Sequence, residues 1–144
     1  MWPMATTTFA LADVERAVRA AWSAETTYAT DAYLARAPQV PSRGQCGGSA
    51  LFVHDLLGGE LMVADLATDG VVEGVHYWNV VDGTTVDLTG DQFLPDETLS
   101  SPSTIARPAL PYPPAARQAY LLLRSRALAT LGCPGLAHRH VAED

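Results

Sequence analysis

The stretch Gly44-Gln45-Cys46-Gly47-Gly48-Ser49-Ala50-Leu51-Phe52-Val53-His54-Asp55-Leu56-Leu57-Gly58-Gly59 decides how this chain is read. From Ser49 onward it reads as an apolar helix. Gly58-Gly59 stops that helix, because glycine takes the left-handed backbone of a helix end without strain. Cys46 then falls at or just before the helix N-terminus. The two glycines after it are poor helix formers, but they let another backbone or a substrate come close. The unpaired N–H groups and the dipole at a helix start favour a thiolate, and the same groups can hold a developing oxyanion.

A nucleophilic sulfur needs a base beside it, and the base needs a group that orients it. Downstream, the sequence offers His76 in Val75-His76-Tyr77-Trp78-Asn79 and Asp87 in Val86-Asp87-Leu88-Thr89. Residues 60–64 read as a strand. Residues 71–81 and 84–88 read as two more, joined at Asp82-Gly83, a dipeptide that signals a tight hairpin between apolar stretches. A two- or four-residue loop there makes opposed residue numbers sum to an odd value, which puts Asp87 on the His76 face. With the tighter loop Trp78 opposes Asp87, and Asp87 lies diagonal to His76, within side-chain reach. A three-residue loop would put Asp87 on the other face. The expected set is therefore Cys46 as nucleophile, His76 as base and Asp87 as orienter, with Asp91 in reserve for the last role. Asp82 is first a turn former, with an acid–base role in reserve.

Gln45 either lends its side-chain amide to an oxyanion hole or holds the turn, and Gly47 lies on the same approach. Of Tyr77 and Trp78, one packs in the core and the other lines the pocket, so Trp78 is carried as a substrate-contact candidate. Asn79 shares the Tyr77 face and reads as structural. His54 reads as a core or half-exposed residue and Cys133 as structural. His138 and His140 have no evident third ligand, so neither a metal nor a cofactor is expected. Asp65, Asp69, Glu73, Asp96 and Glu97 read as solvated surface.

Outward from this centre, residues 9–23 read as a helix with Leu11, Val14, Val18 and Trp22 on its buried face and Thr7 or Thr8 as its cap. Residues 24–43 are less regular, with room for a helical turn over 31–37. Residues 94–114 hold six of the ten prolines and read as a long irregular connection. Residues 113–131 read as a last helix, with proline in its first turn, Gly132 after its end, and Tyr120, Leu123, Leu128 and Leu131 on its buried face. Residues 1–8 and 133–144 read as loose tails of a single domain spanning 1–144.

Composition narrows the function. The chain has 144 residues, 48% of them apolar and 17% charged, enough for one self-sufficient core. All nine basic residues are Arg against sixteen acids, a net charge of −7. With no basic footprint, nucleic acid and anionic membrane are poor partners, and no lysine is present to form a Schiff base. No apolar run is long enough for a membrane span. Without a secretion-type leader, a cytoplasmic location with free thiols is expected. The abundance of Ala and Gly without Lys suggests a GC-rich, bacterial-type coding sequence.

The run Gly44-Gln45-Cys46, Ser49-Ala50-Leu51, Gly58-Gly59-Glu60, His76-Tyr77-Trp78-Asn79, Asp87-Leu88-Thr89 and Gln92-Phe93 resembles the YunG-like family. Trp22-Ser23 and Tyr120-Leu121-Leu122 fit the same pattern, so the resemblance covers residues 14–128. It implies an α+β fold of the papain or transglutaminase-like type, in which a helix bearing the cysteine packs on a small antiparallel sheet bearing the histidine and aspartate. It also implies the nucleophile, histidine and carboxylate positions at Cys46, His76 and Asp87. It carries no settled reaction. The proline-rich 94–114 stretch is longer than the family pattern and is expected to reshape the mouth of the site.

Three functions remain open. The first is a thiol-dependent hydrolase or acyl transferase acting on a small or carrier-tethered substrate. The second is a biosynthetic subunit, working with a protein partner or as a homodimer, in which His76 with Asp82 or Asp87 catalyses ring closure without a covalent thiol step. The third is a binding module that kept the scaffold.

Overall fold

The computed structural model describes residues 9–109 and 113–133. The expected caps Thr7 and Thr8, the His138–His140 pair and most of both tails lie outside these residues. The first helix, α1 (Leu11–Ala21), buries Val14, Ala17, Val18 and Ala21 along one stripe. Leu11 departs from expectation: it is the first helical residue and is exposed, and Ala17 and Ala21 complete the buried stripe instead. Ala10 precedes it as a cap without a side-chain hydrogen bond. A short helix α2 (Asp31–Ala35) follows, started by Thr30, whose hydroxyl accepts from Tyr33 N. Next comes α3 (Cys46–Leu57). The last helix, α4 (Pro114–Thr130), opens on proline and is followed by Gly132 at φ +82°.

Five strands form one antiparallel sheet: β1 (Glu60–Thr68), β2 (Val71–Val81), β3 (Thr84–Val86), β4 (Glu97–Leu99) and β5 (Ser103–Ile105). The order is β3-β2-β1-β4, with β5 also on β1. The outer side of β1 is shared: β5 pairs at Leu61–Val63 and β4 at Leu66–Thr68. Both hairpins turn on Asp-Gly with positive φ at both residues, 49° and 83° at Asp69-Gly70 and 51° and 78° at Asp82-Gly83. That backbone is the two-residue turn whose twist matches antiparallel strands. The second hairpin pairs Asn79 with Val86 and Val81 with Thr84, the two-residue register.

The structure corrects several sequence expectations. β1 runs four residues beyond Ala64, because a second Asp-Gly turn closes it. β3 stops at Val86, so Asp87 lies just past the strand. The 94–114 segment is not wholly irregular, since it contributes β4 and β5. Both are three residues long and fall between Pro95, Pro102 and Pro108, which cannot donate to a ladder.

Helices α1, α3 and α4 share one core with Leu61, Val86 and Leu88 from the sheet side. Asn79 Nδ2 donates to Ala50 O of α3 at 2.9 Å, the structural role expected of it. Tyr77 packs against the same core. The neighbouring side chains His76 and Trp78 alternate to the other face of β2. No helix among the described residues is long and apolar enough to cross a membrane.

Glu97 is the clearest departure from expectation: it is buried, not solvated. Arg43, also buried, grips it bidentately at 2.6 and 2.8 Å. The same guanidinium donates to Tyr33 O and Gln92 O and lies 3.5 Å over the Tyr33 ring. Glu97 also accepts from Leu94 N and from Arg36. Substituting Glu97→Gln leaves a buried guanidinium without its counter-charge and is expected to lower unfolding free energy by about 3–5 kcal/mol. Arg36→Ala removes only an exposed partner, and a much smaller loss than that of Glu97→Gln is expected. Urea denaturation of the two variants measures the contrast.

Candidate active site

Helix α3 begins at Cys46 itself, three residues earlier than the apolar pattern indicates, with Gln45 as its cap residue. The first bond into the helix is Ser49 N to Gln45 O at 3.2 Å, so the N–H groups of Cys46, Gly47 and Gly48 come before any intrahelical pairing. No side chain caps them. The Gln45 amide turns away to hold the loop. Its Oε1 accepts from Thr26 Oγ1 at 2.8 Å, and its Nε2 donates to Ser23 O at 3.0 Å. Gly44 sits at φ +80°, and a Cβ there would come within 2.7–2.9 Å of Leu34, Thr27 and Ala29. Only glycine fits that position.

His76 is 1% exposed. Its Nε2 lies 2.9 and 3.1 Å from the two carboxylate oxygens of Asp87. Trp78 stacks on the ring with centroids 5.3 Å apart, and Phe93 meets it edge-on at 4.7 Å. Because Asp87 can only accept when ionised, Nε2 carries a proton, and Nδ1 is the nitrogen that gains or loses one. Nδ1 is buried and makes no fully formed hydrogen bond. Burial pushes the ring's pKa down, but the hydrogen bonds and charges of Asp87 and the Cys46 sulfur outweigh it and raise it to about 9. The sulfur is thus close enough to act on the ring without being locked to it. Burial raises the Tyr77 pKa, and the charge of the Cys46 sulfur adds to that rise.

Asp87 is steadied from behind. Gly90 N donates to Asp87 O at 3.2 Å, and a Cβ on Gly90 would stand 3.2 Å from the carboxylate carbon. The two reserve carboxylates lie elsewhere: Asp91 accepts from Ser42 Oγ at 2.6 Å, and Asp82 occupies the β2–β3 turn. Cys46, Gly47, His76, Tyr77 and Phe93 line a common cleft of about 1380 Å³. Trp78 instead supports His76 and borders a small hollow beside Cys46. His54 is half-buried in the last turn of α3, and Cys133 follows α4 with a free thiol. Among the described residues no cluster of three or more His, Cys, Asp or Glu could hold a metal ion.

Sequence reasoning did not single out Phe93, Gln92 or Arg43 for the site. Gln92 Oε1 accepts from Gly44 N at 3.0 Å and from Tyr33 OH at 2.9 Å, which ties the loop before Cys46 to the loop after Asp87. In the sequence, Gln92-Phe93 stands out only as one of the motifs that carry the family resemblance.

Fold and site together define a small α+β protein in which a helix-start thiol shares a cleft with a carboxylate-bound imidazole. Residues 10–132 match the family model described as YunG protein, and the chain belongs to that family. No curated protein and no solved structure matches it.

In the folded protein His76 is expected to titrate near pH 9, against about 6.5 for a free imidazole. A raised folded-state value means that its stabilising contribution is complete below about 6.5 and is lost as pH rises through about 9. Asp87→Asn should move the midpoint down. Imidazole NMR of the two proteins across pH 5–10 checks both the value and its sign.

Proposed function

We propose that this protein is a thiol-dependent enzyme of the papain or transglutaminase-like type, acting on an amide, ester or thioester carbonyl. The observation that carries this is the joint placement of Cys46 and His76 on one cleft, with His76 Nε2 held 2.9 Å from Asp87. The Cys46 thiol gives its proton to His76 Nδ1, the thiolate's electron pair forms the bond to the carbonyl carbon, and the C=O π pair moves onto oxygen. The N–H groups of Cys46 and Gly47, free of any cap, face that charge. Collapse reforms the carbonyl and breaks the bond to the leaving group. The departing amine, alcohol or thiol takes the Nδ1 proton of His76. A water or a second nucleophile then gives its proton to Nδ1 and attacks the thioester, releasing the acyl group. Asp87 keeps the ring oriented and stabilises its protonated form. Trp78 and Phe93 fix the ring plane between them.

Two further features fit this reading. The cleft is large and open beside the sulfur, and both cysteines are free thiols. With p-nitrophenyl acetate as a probe, Cys46→Ala is expected to abolish the acyl-enzyme burst. His76→Ala should lower the acylation rate by about 10²- to 10⁴-fold. Iodoacetamide should label Cys46 ahead of Cys133 at neutral pH. Unchanged turnover in Cys46→Ala overturns the covalent route. If Asp87→Asn then abolishes that turnover, the ring-closing reading of the same site takes its place.

A further inference from the structure

Strand β2 is eleven residues long, but β3 covers only its last three, Asn79 to Val81. Among the described residues no strand pairs with its outer side over 71–78. An open edge presents unpaired backbone N–H and C=O groups and is a template for another strand. Over 71–75 the flank is not buried by side chains either. Val71, Val72 and Val75 are 63%, 61% and 40% exposed, and a Cβ on Gly74 would meet nothing within 4 Å. This edge leads to His76, and Glu73, Gly74, Val75 and His76 line the cleft that also holds Cys46.

Charge selects the occupant. Asp69, Glu73 and Asp96 line the cleft, and the one Arg among its described lining residues, Arg36, is already bonded to Asp96 and Glu97. Glu73 accepts from Thr68 Oγ1 at 3.1 Å and is within electrostatic reach of Arg36, whose hydrogen bonds go to Asp96 and Glu97 instead. A second copy would bring a second chain of net charge −7 against this acidic edge, and like charges repel. A strand bearing cations meets the opposite balance.

We propose that the substrate enters as an extended, basic peptide segment that pairs along the free edge of β2 and delivers its carbonyl to Cys46. This rests on the thiol reading of the site and adds what the site recognises. Backbone pairing sets the register, the exposed valines contact alternate side chains, and Asp69 and Glu73 receive the cationic ones.

The test uses the full chain carrying Cys46→Ala and an acetylated, amidated peptide of sequence Val-Lys-Val-Gly-Lys-Val. Amide hydrogen exchange is expected to slow over residues 71–76 when the peptide is added. The same peptide with N-methylated backbone, or with Glu in place of both Lys, should bind at least about tenfold more weakly. Joint Asp69→Lys and Glu73→Lys substitution should reverse the preference for Lys over Glu. No slowing on β2, or equal affinity for the Lys and Glu peptides, overturns the proposal. So does slowing that grows with protein concentration without peptide, because a second copy then holds the edge. If the peptide fails while the wild-type ester burst persists, the edge proposal falls and the thiol reading stands. If the peptide protects β2 but Cys46 shows no burst, the edge proposal is supported and the thiol reading falls.

Discussion

The buried pair of Arg43 and Glu97 is the constraint on which the rest of the site depends. Arg43 lies three residues before Cys46, and Glu97 lies ten after Asp87. Their bidentate contact joins the two loops that carry the thiol and the carboxylate. A charge pair taken out of water holds only when nearly every donor and acceptor is used. Here the guanidinium also reaches two backbone carbonyls, and the carboxylate a backbone N–H. Gln92 and Gly44 add a second tie a few residues closer to the site. The helix start therefore faces β2 because the loops leave it little freedom, even though Gly47 and Gly48 weaken the first turn itself.

His76 shows how one residue is set by several weak causes that oppose one another. Its burial disfavours charge, and the Asp87 carboxylate and Cys46 sulfur favour it by more. The aromatic rings on two sides restrict the imidazole without competing for its nitrogens. One nitrogen is fixed by Asp87 and the other is left free for exchange, a division of labour that follows from the register of a single hairpin.

What the sequence made legible followed from short-range rules. The Asp82-Gly83 turn has the backbone that the dipeptide demands, so the parity argument placing Asp87 on the His76 face reads the hairpin register correctly. Gly58 and Gly132 end their helices as their conformational freedom allows. The stop of β1 was missed although Asp69-Gly70 repeats the same signal, because the apolar alternation fades after Ala64. β4 and β5 were hidden because three-residue strands have no periodicity of their own and exist only by pairing with β1. Glu97 read as surface because nothing local shows that an acid will meet Arg43 across fifty-four positions. The helix begins at Cys46, as its expected place at or just before the N-terminus allows, although the apolar pattern itself starts only at Ser49. That long-range contacts escaped while the Asp82-Gly83 turn did not reflects where the information lies, near in sequence for one and far for the other.

The two hairpins and the Arg43–Glu97 clasp also differ in how fast they can close. Two-residue turns bring β1, β2 and β3 together over short chain separations, whereas the clasp closes a loop of about fifty residues against a larger entropy. The hairpins can therefore close at lower entropic cost than the clasp, and the Cys46 loop is fastened beside β2 only once residue 97 has returned to residue 43.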